Sequence, residues 1–259
     1  MQGTEIEDQG GDRDFVASLE KGLLVIEAFD ASRPRLTLSD VAKLTGITRA
    51  AARRYLLTLT RLNYADFDGR YFTLSPRILR LGYAYLSSAS LSVRVQPFLE
   101  QISEATGESS SAAILDGDDI VYIARSATRR IMSIGLGVGS RLPAYCTSLG
   151  RAILAYQPEE AIEAYLRRVR MEARTPKTVT DKTEFRAVLE ATRAQGYALV
   201  NEELEFGLRS IAVPVVQKSG QVTIALNLSA QAGRVSADEM RERFLPSLSA
   251  ASESLRYLL

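Results

Sequence analysis

The 259-residue chain is 46% hydrophobic, enough to bury a sizeable core and most naturally divided between two domains. It has no histidine and one cysteine, Cys146, which removes Ser-His and Cys-His nucleophile pairs and intrachain disulfides and argues against structural zinc. The net charge of +1 hides a segregation: residues 33–80 hold ten Lys and Arg against three Asp and Glu, residues 1–30 hold two against eight, and the remainder is balanced.

A segment of +7 has the electrostatic footprint of a phosphate-binding surface. With neither a signal peptide nor an apolar run long enough to cross a bilayer, the expected compartment is a reducing cytoplasm, with no membrane partner. Nothing in the chain calls for a cofactor or a metal.

Residues 1–14 are acidic, Gly-containing and without apolar periodicity, which predicts a mobile tail. Ser18 is placed to cap a helix through Phe29 that turns Leu19, Leu23, Ile26 and Phe29 inward. Thr37 begins a second helix with Asp40 three residues on, a capping-box spacing, and with Val41, Ala42 and Leu44 on the inner face. Gly46 suits a left-handed helix end, and Thr48 caps a third helix, Arg49 to Leu62, whose Ala52, Leu56, Leu59 and Leu62 or Asn63 share a face.

This spacing predicts a helix-turn-helix in which Arg49, Ala50 and Arg53 meet base edges. Arginine offers a planar fork to guanine, and alanine lets the backbone approach a thymine methyl. Arg54 and Arg61 read as phosphate contacts or solvated charges. Tyr64–Asp66 and Tyr71–Leu74 are strand-like around an Asp68-Gly69 turn, which makes a wing with Arg70 at its tip. The plain alternative, a packed subdomain with arginines for solubility, is outweighed by the charge segregation.

Pro76 opens a connecting helix to about Leu91, whose Tyr83, Tyr85 and Leu86 spread apolar area suited to pairing with a second copy. Beyond it a helix over Val95–Thr106 ends at Gly107. Strands are expected at Ser110–Leu115, Ile120–Ser126 and Ile131–Leu136, then helices at Ser148–Tyr156, Pro158–Arg170 and Asp181–Gln195. Further strands follow at Tyr197–Val200, Arg209–Val216 and Val222–Leu228. A last helix is capped by Ser236 and kinked or broken at Pro246. The whole is an α+β chain: a winged helix-turn-helix, a linker helix, and an antiparallel sheet flanked by helices.

In IGLGVGSRLPAYCTSLGRAILAY a Gly-rich strand end leads into an apolar helix whose first amides, at Ser148 and Leu149, form an anion site. The GxGxG run from Gly135 lacks the βαβ context of dinucleotide binding. Without a base, Cys146 and Ser148 read as a small buried residue and a helix-cap hydroxyl.

The segments SLEKGLLVIEAF, LPAYCTSLGRAILA, ELEFGLRSIAVPV and ALNLSAQAGRVS, together with the winged helix, closely resemble the IclR family of bacterial transcription regulators over nearly everything from Ser18 to Leu259. RLPAYCTS, ARRYLLTL and SIAVPV are most similar to the subgroup that regulates protocatechuate and 4-hydroxybenzoate breakdown through the β-ketoadipate pathway. The resemblance implies a GAF-like effector domain, a homodimer or a tetramer of two dimers, and a small carboxylate effector such as protocatechuate or β-ketoadipate. It implies a pocket walled by Ile131, Ile134 and Leu142, with Ser148 and Leu149 at the anion-holding helix start and Ser210, Asn227 and Ser229 opposite. Asn227 stands where many members have Ser, and Ser210 where some have Cys.

The expected domains are a tail over 1–14, the winged helix-turn-helix over 15–75, a linker helix over 76–91 and the effector domain over 92–259. The double-stranded DNA partner is expected to carry an inverted repeat, since a two-fold dimer reads two half-sites. The competing functions are a hydrolase-like enzyme with a DNA-binding appendage and an architectural DNA-binding protein without a small ligand.

Overall fold

Threonine hydroxyls start both helices of the helix-turn-helix. In the computed structural model, which describes residues 15–30, 32–82, 90–127 and 136–258, Thr37 and Asp40 cap each other reciprocally at the start of α2 (Leu38–Thr45). Gly46 ends that helix at φ 69°, a conformation that costs a residue with a β-carbon. Thr48 then accepts from the Ala51 amide at 3.2 Å and opens α3 (Arg49–Arg61). The wing follows as β1 (Ala65–Phe67) and β2 (Phe72–Leu74), paired antiparallel, with Leu36 bridged to Phe72.

The first helix differs from its expected pattern. α1 (Ala17–Glu27) begins one residue before Ser18, with Val16 at its N-cap and no side-chain cap. Its inward stripe is rotated: Val25 and Ala28 are buried and Gly22 faces Tyr55, whereas Leu19 and Leu23 are 62% and 47% exposed. The stripe centred on Val25 and Ala28 packs on the small core with Val41, Ala52 and Leu56. Leu44 and Leu62 are likewise exposed, because Val41, Ala52 and Leu56 with Leu36 and Phe72 already fill the small core.

The chain forms two compact units, Met1–Ala84 and Tyr85–Leu259. A 3-10 turn at Pro76–Ile78, capped by Ser75, opens the stretch expected to be a linker helix. Tyr83, Tyr85 and Leu86 lie outside the described residues, as do the tail over 1–14 and most of the strand expected at Ile131–Leu136.

The second unit is built on α4 (Ser90–Thr106), β3 (Ser109–Asp116), β4 (Asp119–Ser126), β5 (Arg141–Pro143), α5 (Ser148–Leu154), α6 (Glu159–Arg168), α7 (Lys182–Gln195), β6 (Ala198–Asn201), β7 (Leu208–Val216), β8 (Val222–Gln231) and α8 (Leu245–Leu258). The strands make one antiparallel sheet in the order β5-β4-β3-β8-β7-β6. Side-chain alternation sends Ile224, Leu226 and Leu228 of β8 toward α4 and α8, and Ala225 toward α5, α6 and α7. The result is a sheet covered by helices on both faces, with a separate apolar core on each.

Two local features depart from the simplest reading. β5 is only three residues long and pairs with β4 through Leu142 opposite Ile120. Before α8, a capping box between Ser236 and Glu239 starts one helical turn that widens into a π-turn over Met240–Phe244. That wider turn precedes Pro246, so the expected break at proline takes the form of a bulged helix.

Candidate functional site

In the first unit the chemistry lies on α3 and the wing. Burial of Ala52 and Leu56 fixes the helix rotation, and at 3.6 residues per turn the opposite side carries Ala50, Arg54 and Arg61, flanked by Arg53 and, at the helix start, Arg49. Arg49, Ala50, Arg53 and Arg54 are all exposed. Among the described residues none of these arginines pairs with a carboxylate, whereas Arg33 and Arg35 are tied to Asp30 and Asp68. Arg54, read from sequence as a phosphate contact or a solvated charge, sits at the middle of the free basic face.

The wing turn is held by Asp68, which accepts from the amides of Arg70 and Tyr71 at 2.9 and 2.7 Å. Those amides, with Arg35, hold the Asp68 carboxyl below its ordinary range. The Arg70 guanidinium lies over the Tyr71 ring, 5.0 Å from its centroid. Thr37 and Thr48 spend their hydroxyls on capping the N-termini of α2 and α3.

The second unit holds a narrow cavity of about 20 Å³ between the sheet and the start of α5. It brings together Ser148, Leu149, Ser210, Asn227 and Ser229, residues drawn from α5, β7 and β8. Ser210 pairs with Ser229 across β7 and β8, and Asn227 donates to Ser229 at 3.2 Å. Two polar atoms there are buried without a partner: the Ser148 hydroxyl and Asn227 Oδ1. Thr147, rather than the expected Ser148, caps α5 by accepting from the Gly150 amide at 3.2 Å, and no hydrogen bond engages the Ser148 and Leu149 amides among the described residues.

Leu142 does not line this cavity; it packs at the β5 edge of the same core. Ile131 and Ile134 lie outside the described residues. Sequence reasoning missed Tyr122, Val200, Leu204 and Leu208, which complete the wall. Leu204 and Leu208 sit in the ELEFGLRS segment, whose signal was present, while Tyr122 becomes part of the site only through the strand order.

The frame around the cavity is tied together by a buried ion pair. Arg151 of α5 is 2% exposed and forms a two-pronged ion pair with Glu203, both oxygens at 2.6 Å, while its Nε donates to the Tyr145 carbonyl at 2.8 Å. Glu203 also accepts from the Val179 amide, so this one carboxylate ties α5 to the loop that carries Leu204. Cys146 is buried at the cavity's edge, and burial pushes its thiol up to about 11. Burial pushes the Tyr122 phenol up to about 12. A thiol kept protonated, with no histidine in the chain, has no base to activate it. Among the described residues no cluster of acidic or Cys side chains is placed to hold a metal ion.

Comparison with known proteins agrees with this architecture. Residues 18–69 match the model of the IclR helix-turn-helix domain, and residues 83–257 match that of the bacterial transcriptional regulator IclR C-terminal domain. The Pca regulon regulatory protein of Pseudomonas putida is 50% identical over 250 residues, covering 96% of this chain and 86% of that protein. A crystallised protein from Rhodococcus sp. RHA1 superposes with a TM-score of 0.82 at 46% identity, over 94% of this chain and 98% of that one. The PobR inducer-binding domain of Acinetobacter, a double mutant in complex with 3-hydroxybenzoic acid, superposes with a TM-score of 0.62 at 33% identity, over 66% of this chain and all of that domain. The chain belongs to the IclR family of bacterial transcriptional regulators.

Proposed function

We propose that this protein is a ligand-responsive DNA-binding regulator of aromatic-acid catabolism, in the protocatechuate and 4-hydroxybenzoate branch that feeds the β-ketoadipate pathway. Its effector is a small carboxylate held in the cavity between α5 and the sheet. The observation that carries this reading is the pair of buried, unpartnered polar atoms, Ser148 Oγ and Asn227 Oδ1, facing one cavity. Buried polar atoms without partners are costly, and a bound acid whose carboxylate accepts from the Ser148 hydroxyl and whose own hydroxyl donates to Asn227 Oδ1 satisfies both. The relatives add support: one bears the name of a Pca regulon regulator, and another was crystallised with 3-hydroxybenzoic acid.

In this reading the carboxylate meets the Ser148 and Leu149 amides, and the far oxygens meet Ser210, Asn227 and Ser229. Apolar cover comes from Leu204, Leu208 and Val200, and from Ile131 and Ile134 as the resemblance implies. A cavity of about 20 Å³ admits little more than a water, so binding opens it by moving side chains. The protein is not an enzyme, acts in the cytoplasm, and binds an inverted-repeat operator as a dimer or a tetramer of two dimers. The winged helix-turn-helix spans 15–75, the linker helix 76–91 and the effector domain 92–259.

The test is a thermal-shift panel of protocatechuate, 4-hydroxybenzoate, β-ketoadipate and neutral analogues. A ligand that binds only the folded form raises the melting temperature with concentration, and about 100 times Kd gives about 2.7 kcal/mol. No shift with any acid would favour a regulator without a small ligand, and turnover of an acid or ester would favour an enzyme.

A further inference from the structure

β4 changes its facing partway along. Ile120 and Tyr122 point into the core beneath α5, whereas Ile123 and Ala124 both belong to the core beneath α4 and α8. Strict alternation from Tyr122 would instead turn Arg125 into that second, apolar core. The difference is a β-bulge: opposite Ala112 and Ala113 of β3 the partner jumps from Ala124 to Tyr122, leaving Ile123 as the extra residue. One extra residue reverses the alternation, and bulges of this kind re-aim side chains beside functional sites.

Arg125 is thereby returned to the face that carries Tyr122. The register gives the same placement, since Arg125 stands beside Ser111 and Ser111 beside Asn227, a single rung across β4, β3 and β8. With strands about 4.8 Å apart, only the small Ser111 separates the arginine from Asn227. The guanidinium lies over the Tyr122 ring, Cζ 6.0 Å from its centroid, and Tyr122 lines the cavity. Arg125 Nε is buried and has no hydrogen-bond partner. The described residues that line the cavity include no Lys or Arg, and Arg125 lies just beyond them on the same sheet face, against Tyr122.

We propose that Arg125 forms a second anion-binding pole of the effector site, so that the effector is gripped at both ends. One acidic group meets Ser148 and the start of α5, and a second meets the Arg125 fork, with the carbon skeleton crossing Tyr122. The ligand class is then a short dicarboxylate, favoured over a monocarboxylate of equal length with a neutral tail. Arginine is suited to this role because its planar fork pairs with both oxygens of a carboxylate. The inference rests on the effector reading given above and adds the charge of the far end.

The experiment is calorimetric titration of the full-length protein with adipate and with its monomethyl ester, which keeps the length and removes one charge. The wild type is expected to prefer adipate by about tenfold or more. Arg125→Gln is expected to lower adipate by a larger factor than the ester, so that the preference between them is lost. Arg125→Lys, which keeps the charge and loses the fork, is expected to retain part of the preference and serves as the readout if the Gln variant does not fold. Equal binding of the two ligands by the wild type, or an undiminished preference in Arg125→Gln, would overturn the second pole and leave the site at Ser148 standing. If the wild type bound neither ligand, nor protocatechuate nor 4-hydroxybenzoate, the effector reading would fall and the second pole with it.

Discussion

A β-carbon at Gly150 would lie 2.2 Å from the Ala144 carbonyl oxygen, and that oxygen belongs to backbone with little room to yield. Gly150→Ala is therefore expected to destabilise the effector unit by about 1–3 kcal/mol or more, read as a lower urea midpoint. Arg151→Met removes the partner of a buried carboxylate and should cost about 3–5 kcal/mol in the same measurement. The raised thiol of Cys146 and phenol of Tyr122 set a pH limit. Both are neutral in the fold, which binds their protons more tightly than the open chain does, so their contribution is intact below about 9 and is lost as pH climbs toward 11 and 12. Urea melts between pH 8 and 11 should show stability falling across that range; a flat profile would contradict the burial of these groups. Capping residues and Gly46 were legible in the sequence because each acts within a few positions of itself. Tyr122 was not, because its role depends on which strands are neighbours.

At the scale of elements, α3 and the wing make separable contributions. Arg53→Ala and Arg54→Ala are each expected to reduce discrimination between operator and random duplex by about 1–3 kcal/mol, while Arg70→Ala weakens both duplexes alike. Competition gel shifts measure the difference, and a variant pair with the opposite pattern would misplace the reading face. The periodicity of α3 was strong enough to place its boundaries to within a residue. α1 was harder to orient, because leucines at 19 and 23 and the smaller residues Val25 and Ala28 both offer an apolar stripe, and the structure buries the second. β5 is too short to carry a period, and the bulge at Ile123 breaks the period that β4 has.

Across the whole molecule, the excess of positive charge lies in residues 33–80 and the buried polar cluster in the second unit, so the proposed DNA and ligand contacts fall in separate units. A two-fold assembly of such chains reads an inverted repeat, and light scattering at micromolar concentration should give a dimer or larger. The family and the two-part plan were readable from the order of motifs along the chain. The grouping of Ser148, Ser210, Asn227 and Ser229 was implied by the resemblance, and strand order brings them to one cavity.

The central claim is that a small acid in that cavity alters DNA occupancy. Fluorescence anisotropy of a labelled operator duplex, titrated with wild-type protein and with Asn227→Leu in the presence and absence of protocatechuate, 4-hydroxybenzoate or β-ketoadipate, tests it directly. The account predicts that at least one acid shifts the wild-type binding midpoint, that Asn227→Leu binds the operator normally without acid, and that the shift is lost in that variant. A wild-type midpoint unmoved by every acid, or an equal shift in Asn227→Leu, would contradict it.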